Sequence, residues 1–314
     1  MKAVVYEKKN RPDSLIYREV DKPEPDDDQV LVKIMATSLN AADYRSMKMG
    51  IIPKNKIFGA DIAGQVEKTG KNITKFHVGD DVVGEIASCD FGGLAEYVAV
   101  PESYLALKPK ELSFEMTAAV PMAAMTALQA LRNKGKLTQG QRVLIVGAGG
   151  GVGTFAVQLA KYFGAEVTAV CGEKNVEMVL SLGADHVIDY AKSSFEKSDK
   201  QYHLILAVNG NYSLSSYRRS LVKGGILVAV GGALTQILKV MIFGKILSIG
   251  SKKMCVLAAK ANTEDLEWLM KHVEEGTITP VIDRTYPLNE TAQAFRYLNE
   301  GHAKGKVIIV IGKD

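Results

Sequence analysis

A chain of 314 residues with 47% hydrophobic and 24% charged residues has enough apolar material for two packed cores, which excludes a disordered or low-complexity protein. Its 39 basic and 35 acidic residues leave a net charge of +4 and are spread without blocks of like charge, so a nucleic-acid partner is not indicated. Cys89, Cys171 and Cys255 are too few and too scattered for a disulfide framework, and no apolar run reaches the length of a membrane span; the expected setting is a reducing cytoplasm, with no membrane contact.

The first residues, MKAVVYEKKN, alternate as a strand and lack the charged start and apolar core of a signal segment. Short β-branched segments follow to about residue 110, at Lys2–Tyr6, Val30–Ala36, Gly64–Lys68 and Asp81–Glu85, parted by Pro, Gly and Asp clusters. Asp21–Gln29 is a loop, because Pro23 and Pro25 donate no ladder hydrogen bond and the acidic run prefers water. This part is a mainly β domain. From Val143 the texture changes to apolar strands alternating with amphipathic helices: Val143–Val146, Val167–Val170, His186–Ile188, Leu204–Val208, Ile226–Val230 and Ile246–Ile249. Strands apolar on both faces, spaced as βα units, predict a doubly wound parallel sheet. After Gly250 a helix at Thr263–Glu275 and a strand at Lys306–Ile311 return to the first texture.

The chemistry begins in VLIVGAGGGVGTFAVQLAKYFGA, Val143 to Phe163 and just beyond, where a buried strand runs into a glycine turn and an amphipathic helix. In an A-x-G-x-x-G reading, Ala148 makes the tight turn, Gly150 admits the pyrophosphate and Gly153 lets helix and sheet approach. The N–H groups of the helix start, Gly150, Gly151, Val152 and Gly153, then face the phosphates with the positive end of the helix dipole. No GK[ST] follows, which excludes a P-loop. The second strand ends Val170, Cys171, Gly172 without the acid that takes the adenosine ribose hydroxyls in NAD-binders. Lys174 and Asn175 suit a 2′-phosphate and hence NADPH, whereas Glu173 at the same tip could take the ribose diol and admit NADH.

The blocks MKAVVYEK, Ser38–Arg45, Gly59–Gly70 with Phe76–Gly84, Gly92–Val100, Ala118–Leu131, AGGGVG, Leu182–Tyr190 and Gly301–Ile309 together resemble, in order and spacing, the medium-chain dehydrogenase/reductase superfamily, in its zinc-free quinone oxidoreductase and enone reductase branch. The resemblance implies an α/β fold: a GroES-like mainly β domain (residues 1–118 and 254–314) split by a Rossmann domain (119–253), with the active site in the cleft between them. It also implies a homodimer through the sheet edge at Ile246–Ile249, and a nicotinamide end lined by Thr126, Asn209, Gly231 and Gly232, with Tyr190 near the adenosine phosphate. The zinc ligands of the alcohol dehydrogenases are missing: Asn40 stands for the first Cys, Ala60 for the His and a position near Ala123 for the second Cys, so no metal is expected.

Without a Lewis acid to hold an alkoxide, the expected reaction is hydride delivery to a quinone or an α,β-unsaturated carbonyl, whose conjugated oxygen takes the charge. Asn40, Asp43 and Tyr44, in the loop after the Val30–Ala36 strand, and Asp61 behind them are the candidate catalytic residues: Asn40 and Tyr44 as donors, Asp43 or Asp61 to orient them. Each has a plainer reading, as a turn, cap or packing residue. Lys252 or Lys253, after the sixth strand, could meet substrate or cofactor charge or form a solvated hinge pair. Two other functions stay open: a non-catalytic NADPH-binding sensor, and an alcohol dehydrogenase.

Overall fold

The computed structural model describes residues 1–7, 14–210, 212–231, 234–248 and 251–312. They form two compact units, Met1–Met125 with Ala261–Asp314, and Thr126–Lys260. The divisions fall later than the expected 118/119 and 253/254. The reason is local: Lys260 is tied to Gln129 by two hydrogen bonds, which keeps the chain with the second unit up to that point.

The first unit opens with an antiparallel pair, β1 (Lys2–Tyr6) and β2 (Leu15–Glu19). Strand β3 (Gln29–Leu39) is followed by helix α1 (Ala41–Met49), then by β4 (Asp61–Thr69), β5 (Asp81–Glu85), β6 (Tyr97–Pro101) and β7 (Leu105–Leu107). Alternation along β3 sends Val30, Val32 and Ile34 into the main core, where they pack with Phe58, Ile62 and Leu94. Helices α2 (Phe114–Ala118) and α3 (Pro121–Leu128) lead into the second unit.

The second unit holds β8 (Arg142–Val146), α4 (Gly151–Tyr162), β9 (Glu166–Cys171), α5 (Val176–Ser181), β10 (His186–Asp189), β11 (Tyr202–Ala207), α6 (Leu214–Arg219), β12 (Leu221–Ala229), α7 (Leu234–Leu247) and β13 (Lys253–Val256). The described strands are all parallel, in the order β10-β9-β8-β11-β12-β13. This is the doubly wound order, whose reversal between β8 and β11 opens a crevice at the carboxyl ends of the strands. On α4 the side chains of Phe155, Ala156, Leu159 and Ala160 are fully buried, while Val152 at the first turn is only half-buried.

One expected element is corrected. Ile246 and Leu247 end helix α7, Ile249 lies outside the described residues, and the sixth strand is Lys253–Val256. Ile246–Ile249 is the tail of a longer apolar run, and a short apolar window does not separate strand from buried helix by period alone. Among the described residues the edge of the sheet is therefore β13, and Ile246 and Leu247 are helical, so the expected edge strand at Ile246–Ile249 is not the one that borders the sheet. Lys253 lies in this strand, and Lys252 donates to the Arg218 carbonyl at 2.8 Å.

The chain then returns to the first unit with α8 (Thr263–Glu274), β14 (Ile282–Pro287), α9 (Thr291–Asn299) and β15 (Lys306–Val310). The resulting sheet runs β14-β15-β3-β4-β5-β7, with β6 also paired to β3. Its register brings one row of residues together at one end: Val307 faces Leu39, Ser38 faces Asp61 and Asp61 faces Glu85.

Candidate functional site

In the second unit most of the described candidate cofactor residues follow the carboxyl ends of the parallel strands: Ala148 to Gly153 after β8, Gly172 to Asn175 after β9, Tyr190 after β10, Asn209 after β11 and Gly231 after β12. Gly147, the first residue after β8, makes the tight turn; Ala148 does not. Gly147 has φ of 91°, and a side chain there would meet the Asn209 backbone nitrogen at 2.7 Å. Ala148 is fully buried, and its N–H and that of Gly147 both donate to the Val170 carbonyl at 3.0 Å, pinning the turn to β9. Val208 and Asn209 donate to the Val146 carbonyl at 3.0 Å, which sets Asn209 beside the turn where the strand order reverses.

Gly153 is held where its missing side chain matters, because a Cβ would lie 2.2 Å from the Gly147 carbonyl oxygen. Gly150 is different: a Cβ there would meet only that same oxygen, at 3.9 Å. Its backbone therefore faces open space. Gly150 is the N-cap of α4 and has no side chain to offer, and the N–H groups of Gly151, Val152 and Gly153 have no acceptor among the described residues. Asn175 leans over Gly149, and its Oδ1 is buried without a partner. An uncapped helix start and an open glycine backbone fit a dinucleotide's phosphates, and the orphaned amide oxygen, an acceptor, fits a donor such as a ribose hydroxyl or an amino group.

At the tip of β9 the Tyr190 hydroxyl oxygen lies 2.8 Å from where a Cβ on Gly172 would be. Glu173 points to Lys192, with 2.5 Å between Oε1 and Nζ, while Lys174 is exposed. Gly231 follows the end of β12, and Thr126 is buried in α3. Gly232 lies outside the described residues.

In the first unit Asn40, Asp43 and Tyr44 are not in a loop. Asn40 is the N-cap of α1, and Asp43 and Tyr44 lie in its first turns. The Asp43 carboxylate reaches back to the Asn40 N–H at 2.9 Å and accepts the Gly59 N–H at 3.1 Å. Asp61, fully buried, is the hub. Its Oδ2 accepts from the Ser38 hydroxyl at 2.6 Å and the Asn40 amide at 2.8 Å, and its Oδ1 accepts the Met122 N–H at 2.9 Å.

Two residues here were not among the expected site residues. Lys306, at the head of β15 and only 3% exposed, donates to Asn40 Oδ1 at 2.6 Å and stands 3.5 Å from Asp61 Oδ2. Glu85, opposite Asp61 in the register, accepts the Ala87 N–H at 2.9 Å. Asn40 is thereby saturated: its NH2 group serves Asp61 and the Ser38 carbonyl, and its oxygen serves Lys306. In this arrangement it has no amide proton to spare for a substrate. Tyr44 does have a free group. Its half-buried ring packs against the core and beneath Lys48, and its hydroxyl makes no hydrogen bond with any described residue.

Burial dominates the electrostatics. It pushes Asp43 up to about 7, helped by the Asp61 charge and opposed by two backbone N–H groups and Lys306. It pushes Glu85 up to about 7, again with help from Asp61, and pulls the Lys306 ammonium below the ordinary lysine value. An acid raised in the folded state binds its proton more tightly there than in the unfolded chain. These two groups therefore stabilise the fold fully below the ordinary carboxylate pKa, and that share is lost as pH rises through about 7. The urea midpoint of the wild type should fall between pH 5 and about pH 8 from this cause, and Glu85→Gln should flatten the decline.

Of the positions that match the zinc ligands, Asn40 is hydrogen-bonded to Asp61, Ala60 precedes Asp61 in the chain, and the third, near Ala123, lies beside Met122, whose N–H Asp61 accepts. Two methyl groups and an amide whose oxygen is held by an ammonium do not make a zinc site. Burial also pushes the Cys89 thiol up to about 12 and the Cys171 thiol up to about 11, so neither is a thiolate nucleophile. Past the end of α1, Ile51, Ile52, Pro53, Cys89 and Phe91 help to line a groove of about 450 Å³.

Residues 26–110 match the alcohol dehydrogenase GroES-like domain family, and residues 182–309 match the family described as zinc-binding dehydrogenase. The chain is 33% identical over 305 residues to the chloroplast envelope quinone oxidoreductase homolog of Arabidopsis thaliana, covering 93% of this chain and 92% of that protein. It is also 33% identical over 301 residues to the NADPH-dependent alkenal/one oxidoreductase, chloroplastic, of the same plant, covering 91% of this chain and 73% of that one. The solved quinone oxidoreductase from Coxiella burnetii superposes with a TM-score of 0.90 at 29% identity, over 99% of both chains. With two such relatives aligned over nearly its whole length, the chain belongs to the medium-chain dehydrogenase/reductase superfamily, in the branch of quinone oxidoreductases and enone reductases.

Proposed function

We propose that this protein is an NADPH-dependent oxidoreductase that reduces a quinone or an α,β-unsaturated carbonyl without zinc. The observation that carries the reading is the open, uncapped glycine turn between β8 and α4, at the reversal of strand order in the second unit. The activities named for relatives in quinone and alkenal/one reduction support the choice of substrate class.

When bound, NADPH supplies the hydride; the chain binds, orients and stabilises. The free N–H groups of Gly151, Val152 and Gly153 would hold the pyrophosphate against the open backbone of Gly150, Asn175 and Tyr190 would border the adenosine end, and Thr126, Asn209, Gly231 and Gly232 would line the nicotinamide end. Lys174 pairs with the 2′-phosphate, while Lys192 draws Glu173 away from the ribose. In the first unit the Tyr44 hydroxyl donates to the oxygen on which negative charge develops, and the groove beside Ile51 and Phe91 takes the apolar part of the acceptor. Asn40, Asp43 and Asp61 hold the start of α1, from which Tyr44 projects, in place.

The test is anaerobic stopped-flow mixing of NADPH-loaded protein with a panel of quinones and enones. Oxidation of NADPH by members of the panel is expected. Tight NADPH binding with no oxidation by any of them would overturn the proposal in favour of a non-catalytic sensor. Tyr44→Phe should lower kcat by about 10- to 100-fold with an unchanged Kd for NADPH, measured in the same apparatus. Lys174→Glu should raise the Kd for NADPH by at least about tenfold, one lost charge-assisted contact plus a new repulsion, and leave the Kd for NADH nearly unchanged in a fluorescence titration.

The proposal extends to a cytoplasmic homodimer joined at the β13 sheet edge, for which light scattering should give twice the chain mass. Among the described residues no helix is long and apolar enough to cross a membrane.

A further inference from the structure

We propose that Lys306 is a positioning residue of the reductase site: its buried ammonium fixes the orientation of the Asn40 amide and, through it, the start of the helix that carries Tyr44. The inference rests on the reductase reading given above. An asparagine amide has two orientations that differ only in which end donates. An ammonium can only donate, so Lys306 selects the orientation with Oδ1 toward itself at 2.6 Å. The NH2 group is then directed at Asp61 Oδ2 and the Ser38 carbonyl, both acceptors. The Asn40 backbone N–H is meanwhile taken by Asp43 inside the first turn of α1. Both ends of the amide and the backbone N–H of the residue that starts α1 thus have assigned partners, and the orientation of the amide depends on a cation delivered by a strand 266 positions away in the sequence.

Stability alone does not explain such a group. A buried ion pair is often matched or bettered by apolar residues of the same volume, whereas one that holds a polar neighbour in a single orientation contributes something those residues cannot. The cation also stands 3.5 Å from Asp61, the carboxylate that holds both the Asn40 amide and the Met122 N–H, so it sits within one buried hydrogen-bonded cluster with the start of α1.

The experiment uses full-length protein labelled with [15N]asparagine, as wild type, Lys306→Met and Lys306→Met/Asp61→Asn. The Asn40 side-chain signal is assigned by its loss in Asn40→Ser. The double variant removes both charges of the pair and keeps the molecule folded where the single variant fails. Its Kd for NADPH should stay within about twofold of wild type, while kcat with 1,4-naphthoquinone falls about tenfold or more with a smaller change in KM. Solvent exchange of the Asn40 amide should speed up by at least about tenfold. Unchanged exchange, or a kcat within about twofold of wild type, would overturn the proposal. Wild-type protein that binds NADPH but reduces nothing would sink the reductase reading alone, and the exchange measurement would still decide whether Lys306 locks Asn40.

Discussion

Asp61→Ala should destabilise the first unit by about 3–5 kcal/mol, the range for removing one member of a buried, hydrogen-bonded ion pair. The loss has three parts. Lys306, 3% exposed, keeps a charge that the remaining acceptors do not neutralise. The Ser38 hydroxyl, the Asn40 amide and the Met122 N–H lose an acceptor in a place water does not reach, and each such orphan costs about 1–3 kcal/mol before relaxation. The emptied volume sits where β3, β4 and the start of α3 meet, so the backbone can close on it only by disturbing the register. At about 2–4 °C per kcal/mol for a unit of this size, the melting temperature should drop by roughly 6–20 °C in calorimetry. Asp61→Asn keeps the shape and one acceptor and should lose distinctly less. Equal effects from the two substitutions would show that the carboxylate is not the hub.

Gly153→Ala should abolish NADPH binding, and Gly150→Ala should weaken it for a different reason. At 153 the new methyl would lie 2.2 Å from the Gly147 oxygen and 2.7 Å from the Ala148 carbonyl carbon, backbone atoms that no rotamer change can move. Helix α4 must then shift away from β8, at a cost of about 1–3 kcal/mol in stability, and the turn loses its shape. An affinity loss of at least about 100-fold is expected, since several phosphate contacts are displaced together. At 150 the methyl has room, with its nearest neighbour at 3.9 Å, so the fold is retained. It projects into the face reserved for the pyrophosphate. Isothermal titration with NADPH and a melting curve separate the two: Gly150→Ala should bind poorly at an unchanged melting temperature, and Gly153→Ala should fail on both. Normal binding by Gly153→Ala would mean that the phosphates lie elsewhere.

Local patterns carried much of this architecture. Strand, glycine turn and helix from Val143 to Phe163 are adjacent in the chain, and their periods and turn residues are readable without tertiary knowledge. The two departures in the second unit share a cause. Gly147 rather than Ala148 takes the left-handed conformation because Asn209, more than sixty residues on, closes against it, and Ile246 is helical because the apolar run containing it is longer than a strand. In the first unit Asn40, Asp43, Tyr44 and Asp61 were visible as candidates, but what each one does depends on partners set by sheet register. A lone lysine heading the apolar run KVIIV was a signal; the identity of its partner was not, because β15 finds β3 only through long-range pairing. Glu173 was ambiguous in sequence for a similar reason, since Lys192 lies across the β9–β10 connection.

The placement of β15 has a consequence for biosynthesis. It lies between β14 and β3, so a strand made late becomes an inner member of a sheet whose other strands were mostly made before it. On a ribosome moving at 5–20 residues per second, Asn40 waits roughly 10 to 50 seconds for Lys306, 266 positions later. During that interval β3 exposes an unpaired flank and Asp61 has no cation. The second unit is contiguous and complete by Lys260, so it can fold while the first is still waiting. Nascent chains are thus most exposed to chaperones and to edge-to-edge aggregation along β3, and a chain stalled before residue 306 carries a nucleotide-binding half beside an unfinished sheet.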